Sequence, residues 1–180
     1  EVRRKLPIFQ CRAELLRYVG EHPVSIIMGE TGSGKTTQLV QYLYEEGFAK
    51  DGLIGCTQPR RMAAVGVAAR VSDEIGADLG TTVGYAIRLE DETSDDTRIK
   101  FMTDGVLLRE IVQDPMVRKY SCIVLDEAHE RSVNTDVLLG VLKDVLRKRA
   151  DFKLVVTSAS MDIGKFTRFF NNAPYYEIPG

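Results

Sequence analysis

One short segment, residues 29–36 with the sequence Gly-Glu-Thr-Gly-Ser-Gly-Lys-Thr, constrains the fold of this chain more than any other feature. It matches the pattern G-x-x-x-x-G-K-S/T and stands between an apolar run and a segment with helical spacing. Glycines allow a tight loop whose backbone N–H groups point at phosphate oxygens, and the following helix adds its positive end. We therefore predict a nucleotide phosphate site at Gly29, Glu30, Thr31, Gly32, Ser33, Gly34, Lys35, Thr36 and Thr37.

Two side chains of this loop carry its expected chemistry. Lys35 would contact the β- and γ-phosphates, and Thr36 would offer its hydroxyl to Mg²⁺. Thr37 follows on the helix and would pack or hydrogen-bond nearby. The alternative is a glycine-rich turn without a ligand, but a chance match between a strand and a helix is rare.

Short apolar runs alternate with helical segments along most of the chain. The runs are typical of strands at 24–28, 53–57, 83–87, 99–102, 122–125 and 154–157, and helical spacing falls at 14–19, 36–46, 62–75, 105–113, 135–149 and 162–170. Because the runs lack polar alternation, we expect strands covered on both faces. The pattern predicts an α/β fold with a mostly parallel central sheet, and it leaves the acidic segment 90–96 as a solvated loop.

Composition narrows the remaining possibilities. A hydrophobic content of 44% in 180 residues suffices for one globular core. Because 24 Lys and Arg oppose 26 Asp and Glu, any contact with nucleic acid must be local. Cys11, Cys56 and Cys122 lack metal-ligand spacing and are expected to be buried free thiols in a reducing compartment. No apolar run suits a signal core or a membrane span, so we expect an intracellular protein without a membrane partner.

Two adjacent carboxylates, Asp126 and Glu127, follow directly after the apolar run 122–125. Open parallel sheets bind ligands at the carboxyl ends of their strands, which is where this pair is expected. We predict that Asp126 holds Mg²⁺ through water, because its strand should be the one closest to the phosphate loop. Glu127 would then orient and polarise the attacking water. The expected metal site comprises Thr36, Asp126 and Glu127.

His129 completes the expected catalytic set with Lys35, Asp126 and Glu127. It has no Cys or His partner at ligand spacing, so metal binding by its imidazole is not expected. Two interpretations stay open for it. It is either a structural residue with satisfied hydrogen bonds or a group that couples the nucleotide site to a neighbouring element.

Five segments together resemble motifs I, Ia, Ib, II and III of DEAH-box helicases. They are residues 29–36, Thr57-Gln58-Pro59-Arg60-Arg61, Thr103-Asp104-Gly105, Asp126-Glu127-Ala128-His129 and Ser158-Ala159-Ser160. The resemblance runs from Leu6 to Gly180, and residues 54–56 and 83–88 look like the pre-mRNA-splicing branch. It implies a three-layer RecA-like P-loop domain, the first of two in an ATP-dependent RNA helicase. ATP and Mg²⁺ are the implied ligands, and translocation on single-stranded RNA is the implied activity.

The resemblance also implies where RNA is held. Arg60 and Arg61 match motif Ia and Thr103 matches motif Ib, the positions at which this family contacts the RNA backbone. Arg88 is a further candidate for an RNA contact. Paired guanidinium groups at a strand end can bridge adjacent phosphates without reading sequence, although an ion pair with neighbouring carboxylates is the structural alternative.

Two more roles follow from the resemblance. Arg70 matches the arginine that stacks on the nucleotide base, as a planar cation can. Ser158, Ala159 and Ser160 match the motif that links the ATP state to strand movement. The family pattern ends in Thr where this chain has Ser160, a change that keeps the hydroxyl.

The resemblance implies partners outside residues 1–180. Motifs IV to VI, with their arginine finger, are not among these residues, so we expect a domain truncated from a larger helicase and a weak ATPase in isolation. The implied partners are single-stranded RNA, a second RecA-like domain of the same parent chain, and spliceosomal proteins or a G-patch activator. The implied location is the nucleus.

Two rival functions stay open. Another P-loop enzyme, such as a nucleotide kinase of similar size, would transfer phosphate to an acceptor instead of water, and motif Ia and the Asp-Glu pair argue against it. A catalytically silent scaffold that binds RNA or protein is the second rival. Intact Lys35, Thr36, Asp126 and Glu127 argue against that one.

Overall fold

A computed structural model describes residues 2–30, 33–130, 132–159 and 163–179, apart from the side chain at position 163. The strands are β1 (Val24–Met28), β2 (Leu53–Gln58), β3 (Val83–Ile87), β4 (Glu90–Glu92), β5 (Ile99–Thr103), β6 (Tyr120–Leu125), β7 (Lys153–Ser158) and β8 (Tyr175–Glu177). The helices are α1 (Pro7–Gln10), α2 (Arg12–Glu21), α3 (Lys35–Glu45), α4 (Arg61–Ile75), α5 (Asp104–Gln113), α6 (Val133–Lys148) and α7 (Ile163–Phe169). Short 3-10 turns occupy Val2–Lys5 and Ala128–Glu130.

All the strands form one sheet in the order β4-β3-β5-β2-β6-β7-β1-β8. Every neighbouring pair is parallel except the hairpin of β3 and β4. The carboxyl ends of the parallel strands therefore lie along one edge, which we call the carboxyl edge. Residues that follow these strands are brought together there.

Helices cover both faces of the sheet. Buried side chains of α1 to α4 pack on one face, and those of α5 to α7 pack on the other. The central strands are buried along nearly their whole length because both faces are covered. The expected three-layer α/β architecture of a RecA-like domain is confirmed.

Local signals explain where α6 begins and where α4 ends. Ser132 caps α6 by accepting a hydrogen bond from the Thr135 N–H at 3.1 Å. Gly76 ends α4 in the left-handed region at φ 84°, which glycine adopts without a side-chain clash. The six predicted strands and the predicted helices are present, with ends that differ by a few residues at most.

One segment departs from the sequence-based expectation, and one short strand was not predicted. The segment 90–96 was expected to be a loop, yet Glu90–Glu92 forms the exposed edge strand β4. Charged residues suit an unpaired sheet edge, which explains a strand without apolar alternation. The second case is β8, which has three residues and joins the sheet beside β1.

The three cysteines are buried and free. Burial raises the pKa of the Cys122 thiol to about 12, so it stays protonated near neutral pH. In the described part of the chain, no helix combines the length and the apolar character needed to cross a bilayer.

Candidate nucleotide and nucleic-acid site

The phosphate loop joins β1 to α3 at the carboxyl edge. A methyl group at Gly29 would lie 2.9 Å from Ile178 Cδ1 and 3.0 Å from Ser33 Oγ, so a larger residue would force these two side chains to shift. Ser33 Oγ is itself buried and has no hydrogen-bond partner within the described ranges. A buried, unpartnered hydroxyl at this position is suited to donate to an oxyanion. Thr31 and Gly32 lie outside the described residues.

Gly34 starts α3 with φ 93°, a conformation that other residues rarely adopt. A side chain there would also lie 2.9 Å from Leu6 and Ile8, which pack against the loop from the preceding segment. The helix that follows directs its free N–H groups at the carboxyl edge. The loop, the helix end and Lys35 thus converge on one point.

Lys35 crosses the site to the acidic turn after β6. Its side chain is only 3% exposed, and its Nζ lies 3.1 Å from Glu127 Oε1. Glu127 has φ 58°, an unusual backbone conformation for a residue other than glycine, which costs about 1 to 2 kcal/mol. The ion pair with the buried Lys35 offsets that cost and holds the carboxylate toward the phosphate loop.

Asp126 is buried between two neighbouring strands. Gln58 Nε2, from the end of β2, donates to its Oδ2 at 2.7 Å, and the Thr157 hydroxyl from β7 donates to its Oδ1. The Asp126 side chain therefore has one donor on each oxygen. An ionised carboxylate offers about four acceptor positions, so further ligands can still bind.

His129 contacts both the acidic turn and motif III. Its Nδ1 accepts from the Ala159 backbone N–H at 3.1 Å, and its Nε2 lies 3.2 Å from Glu127 Oε2. Because Nδ1 is the acceptor, the proton is on Nε2 and is donated to Glu127. Both ring nitrogens of His129 thus have partners, on two different elements, an arrangement compatible with either interpretation.

The order of the strands corrects one expectation. Asp126 was expected on the strand closest to the phosphate loop, but β7 lies between β1 and β6. Two strand spacings amount to about 10 Å, which the extended Lys35 side chain and the Glu127 turn span together. Motif III occupies the intervening position, where the Ser158 carbonyl accepts from the Gly29 N–H at 3.0 Å. Ser160 lies outside the described residues.

Arg70 lines a cavity of about 250 Å³ beside the phosphate loop, together with Leu6, Gly34, Lys35, Thr36, Thr37 and Glu127. Its Nε donates to Glu74 Oε2 at 2.8 Å, and 66% of its side chain is exposed. Burial raises the pKa of Glu74, but hydrogen bonds from Gln38, Gln41 and Arg70 outweigh it, so the pKa is lowered overall. Glu74 therefore stays charged and holds the guanidinium at the rim of the cavity.

The residues proposed from motifs Ia and Ib lie on the other half of the carboxyl edge. Arg60 and Arg61 follow β2, Thr103 ends β5 and Arg88 follows β3, and these three strands are neighbours. The three arginines are exposed and Thr103 is half-buried. Arg60 Nη2 lies 2.9 Å from Glu130 Oε1, so the ion pair considered for it is present.

Buried polar contacts hold α5 against the strands of this half of the sheet. Glu110 on α5 accepts from Lys100 Nζ and from the Tyr120 hydroxyl, both at 2.7 Å. Burial raises the pKa of Asp104, an effect only partly offset by hydrogen bonds from Thr135, Thr57 and Ser132. The Asp104 contacts fix the start of α5, and with it Thr103, against β2 and α6, while the Glu110 contacts fix the second half of α5 against β5 and β6.

The family model described as DEAD/DEAH box helicase matches residues 13–169. This chain belongs to the DEAD/DEAH box helicase family. The match spans the phosphate loop, the acidic turn and motif III, whose geometry is described above. Membership implies ATP-dependent helicase or nucleoside triphosphatase activity, ATP as a ligand typically with Mg²⁺, and contact with nucleic acid.

The oxygens of this helicase domain fit a magnesium ion. Mg²⁺ keeps several waters and is bound by one or two carboxylates plus substrate phosphates, not by an all-protein cage. Asp126 and Glu127 would supply the carboxylates, and the half-buried Thr36, at the start of α3, lines the same cavity as Glu127. Across the described ranges, no cluster of three or more His, Cys, Asp or Glu residues could hold a metal by itself.

Sequence reasoning assigned no role to several residues that the helicase domain brings into the site. Gln58 and Thr157 hold Asp126, Glu130 pairs with Arg60, and Leu6 packs on Gly34. Polar residues at the ends of two apolar runs, Thr157 and Gln58, were the available signal. Which carboxylate they meet depends on strand order, which a local pattern does not encode.

Proposed function

We propose that this chain is the ATP-binding and ATP-hydrolysing lobe of a DEAH-box RNA helicase, which couples hydrolysis to translocation on single-stranded RNA and to remodelling of RNA–protein complexes. The observation that carries the proposal is the contact between the buried Lys35 of the phosphate loop and the half-buried Glu127 of the Asp-Glu-Ala-His turn, at 3.1 Å. It joins the two segments that a phosphate-transfer reaction to water needs. The same edge of the sheet then presents exposed arginines to a polyanion.

On the nucleotide side, Lys35 exchanges Glu127 for the β- and γ-phosphates of ATP when the substrate enters. This exchange frees Glu127, which then orients the attacking water and takes up its proton. His129 keeps Glu127 in place through its Nε2–H. When bound at Thr36 and Asp126, Mg²⁺ neutralises phosphate charge. Arg70 offers its guanidinium face to the base.

On the RNA side, Arg60, Arg61, Arg88 and Thr103 contact the sugar-phosphate backbone. Contacts of this kind position a strand without reading its bases, as a translocating motor requires. The arrangement of these residues along the ends of β2, β5 and β3 supports the proposal, because three neighbouring strand ends bring three exposed arginines and the half-buried Thr103 to one stretch of the carboxyl edge. In the sequence, motif III lies between the acidic turn after β6 and the last strand, β8. We assign to its residues, Ser158, Ala159 and Ser160, the coupling of ATP state to strand movement.

The finer assignment rests on sequence resemblance. Residues 54–56 and 83–88 resemble the pre-mRNA-splicing branch. We therefore infer a role in splicing in the nucleus, with spliceosomal proteins or a G-patch activator as partners. A second RecA-like domain of the same parent chain would close over the cavity beside Arg70 and supply the arginine finger.

The test is ATP hydrolysis by the full-length helicase with and without single-stranded RNA of mixed sequence. We expect RNA to stimulate turnover irrespective of its sequence. Rapid phosphoryl transfer from ATP to a nucleoside monophosphate, with no response to RNA, would overturn the proposal in favour of a nucleotide kinase. RNA binding without any turnover would favour the silent scaffold.

A further inference from the structure

The end of β2 and the residues that follow it contact the acidic turn after β6 at two places. Gln58, the last residue of β2, donates from Nε2 to Asp126 Oδ2 at 2.7 Å. Two residues later, Arg60 pairs with Glu130 at 2.9 Å. Asp126 opens the turn and Glu130 closes it, so one short stretch of motif Ia contacts both of its ends.

The Gln58 contact is the stronger of the two. Gln58 is 2% exposed and Asp126 is 5% exposed, whereas 71% of the Arg60 side chain is exposed. Hydrogen bonds to ionised acceptors are roughly twice as strong as neutral ones, and a buried bond has little competition from water. The exposed ion pair is screened by solvent and contributes far less.

The orientation of the Gln58 amide follows from its partner. An ionised carboxylate only accepts hydrogen bonds, so Nε2, not Oε1, must face Asp126. Thr157 approaches the other oxygen from β7, on the opposite side. Two donors from opposite neighbours fix the plane of the carboxylate, and each oxygen keeps acceptor capacity for a further ligand.

Gln58 is also the point where the two halves of the carboxyl edge touch. In the sheet it is in register with Thr103 of β5, and in the chain it precedes Pro59 and Arg60. A shift of the β2 end on RNA binding would therefore move the donor on Asp126 directly. No second element has to transmit that shift.

We propose that Gln58 is a positioning residue that orients Asp126 for metal binding and links the RNA contacts of motif Ia to the metal site. The proposal rests on the function proposed above, in which Asp126 holds Mg²⁺. Supporting interactions of this kind typically change metal affinity or activity about 10- to 100-fold when removed.

The test is Gln58→Met in the full-length helicase, a change that keeps side-chain length and removes the donor. We expect Mn²⁺ affinity, measured by electron paramagnetic resonance with a saturating non-hydrolysable ATP analogue, to weaken roughly tenfold. Raising Mg²⁺ should restore part of the ATPase rate, and the ratio of RNA-stimulated to basal rate should fall. Wild-type Mn²⁺ affinity would overturn the positioning role, and an unchanged stimulation ratio would overturn the link to RNA.

Two controls separate this proposal from the function it rests on. Tyr120→Phe removes an equally buried donor to a carboxylate, Glu110 at 2.7 Å, at the start of β6 and away from the carboxyl edge, and it should leave Mn²⁺ affinity unchanged. Asp126→Asn should lose most Mn²⁺ affinity. If Asp126→Asn binds Mn²⁺ like the wild type, the metal assignment itself is wrong. If Asp126→Asn loses affinity while Gln58→Met does not, only the Gln58 proposal fails.

Thermal unfolding without metal distinguishes positioning from simple packing. A packing role would lower the melting temperature of Gln58→Met and leave its metal affinity intact. If that variant does not fold, Gln58→Asn replaces it. Asn keeps the amide but is one methylene too short to reach Asp126, so the same loss of Mn²⁺ affinity is expected and its absence would count against the proposal.

Discussion

The two halves of the carboxyl edge of the sheet differ in how far their charged side chains are buried and paired. Where β1, β7 and β6 end, Lys35, Asp126 and Glu127 are buried or half-buried and already have partners, as in the contact of Lys35, 3% exposed, with Glu127. Where β2, β5 and β3 end, the cations are exposed, and Arg60 has 71% of its side chain in solvent. One sheet thus presents a pocket of paired charges next to an open half, in which exposed arginines are free to rearrange.

The difference matches the ligand proposed for each half. A small polyanion that must react needs preset groups in a region of low dielectric, where each interaction is strong. A polymer that must slide needs several weak contacts that form and break, and solvent screening supplies that weakness. If the comparison is right, substitutions in the two halves should differ in magnitude and in salt dependence.

The largest effect is expected for Lys35→Ala in the full-length helicase. The variant loses the cation that would meet the β- and γ-phosphates, so RNA-stimulated ATP turnover should fall roughly a thousandfold. The matched control is Lys50→Ala, an exposed lysine that precedes β2 at the opposite edge of the sheet. Turnover unchanged in Lys35→Ala would reject the nucleotide site.

Glu127→Gln should separate binding from chemistry in the same half. The amide can still hydrogen-bond but takes up no proton, so we expect hydrolysis to slow roughly a hundredfold. Affinity for a fluorescent ATP analogue should stay close to that of the wild type. Equal losses in analogue binding and in the single-turnover rate would contradict the proposed role of Glu127.

In the open half, Arg60→Ala combined with Arg61→Ala should weaken RNA binding roughly tenfold for every sequence. Losing two contacts to single-stranded phosphates should flatten the slope of log affinity against log salt by about 1.4. Arg98→Ala with Arg118→Ala makes the same charge change at the opposite edge, before β5 and β6, and should leave the slope unchanged. A loss confined to one RNA sequence would argue against backbone contact.

The sequence was most informative about the half of the carboxyl edge where β1, β7 and β6 end. The phosphate loop is a contiguous pattern, and the apolar runs placed β1, β6 and β7 within two residues of their ends. Both signals are local, since backbone conformation and burial of both strand faces act over a few residues. The sequence also identified Asp126 and Glu127 because they follow one such run directly.

Strand order and the contacts that depend on it were not accessible from the sequence. The insertion of β7 between β1 and β6 decides that Thr157 meets Asp126, and the neighbouring position of β2 decides that Gln58 does. Strand β4 was missed because its Glu-Asp-Glu sequence has no apolar alternation. A local pattern describes each strand but not its neighbours.

The smallest effect is expected for Glu130→Gln, which tests whether the two halves communicate at the Arg60 pair. Removing the carboxylate frees Arg60 and takes a negative charge away from the RNA path, so RNA affinity should rise up to about fivefold at low salt. The gain should shrink at high salt, and Glu46→Gln, an exposed change at the end of α3, should show none. In an Arg60→Ala background most of the gain should disappear. If it persists there in full, the effect comes from net charge alone, and the acidic turn does not regulate Arg60 through their contact.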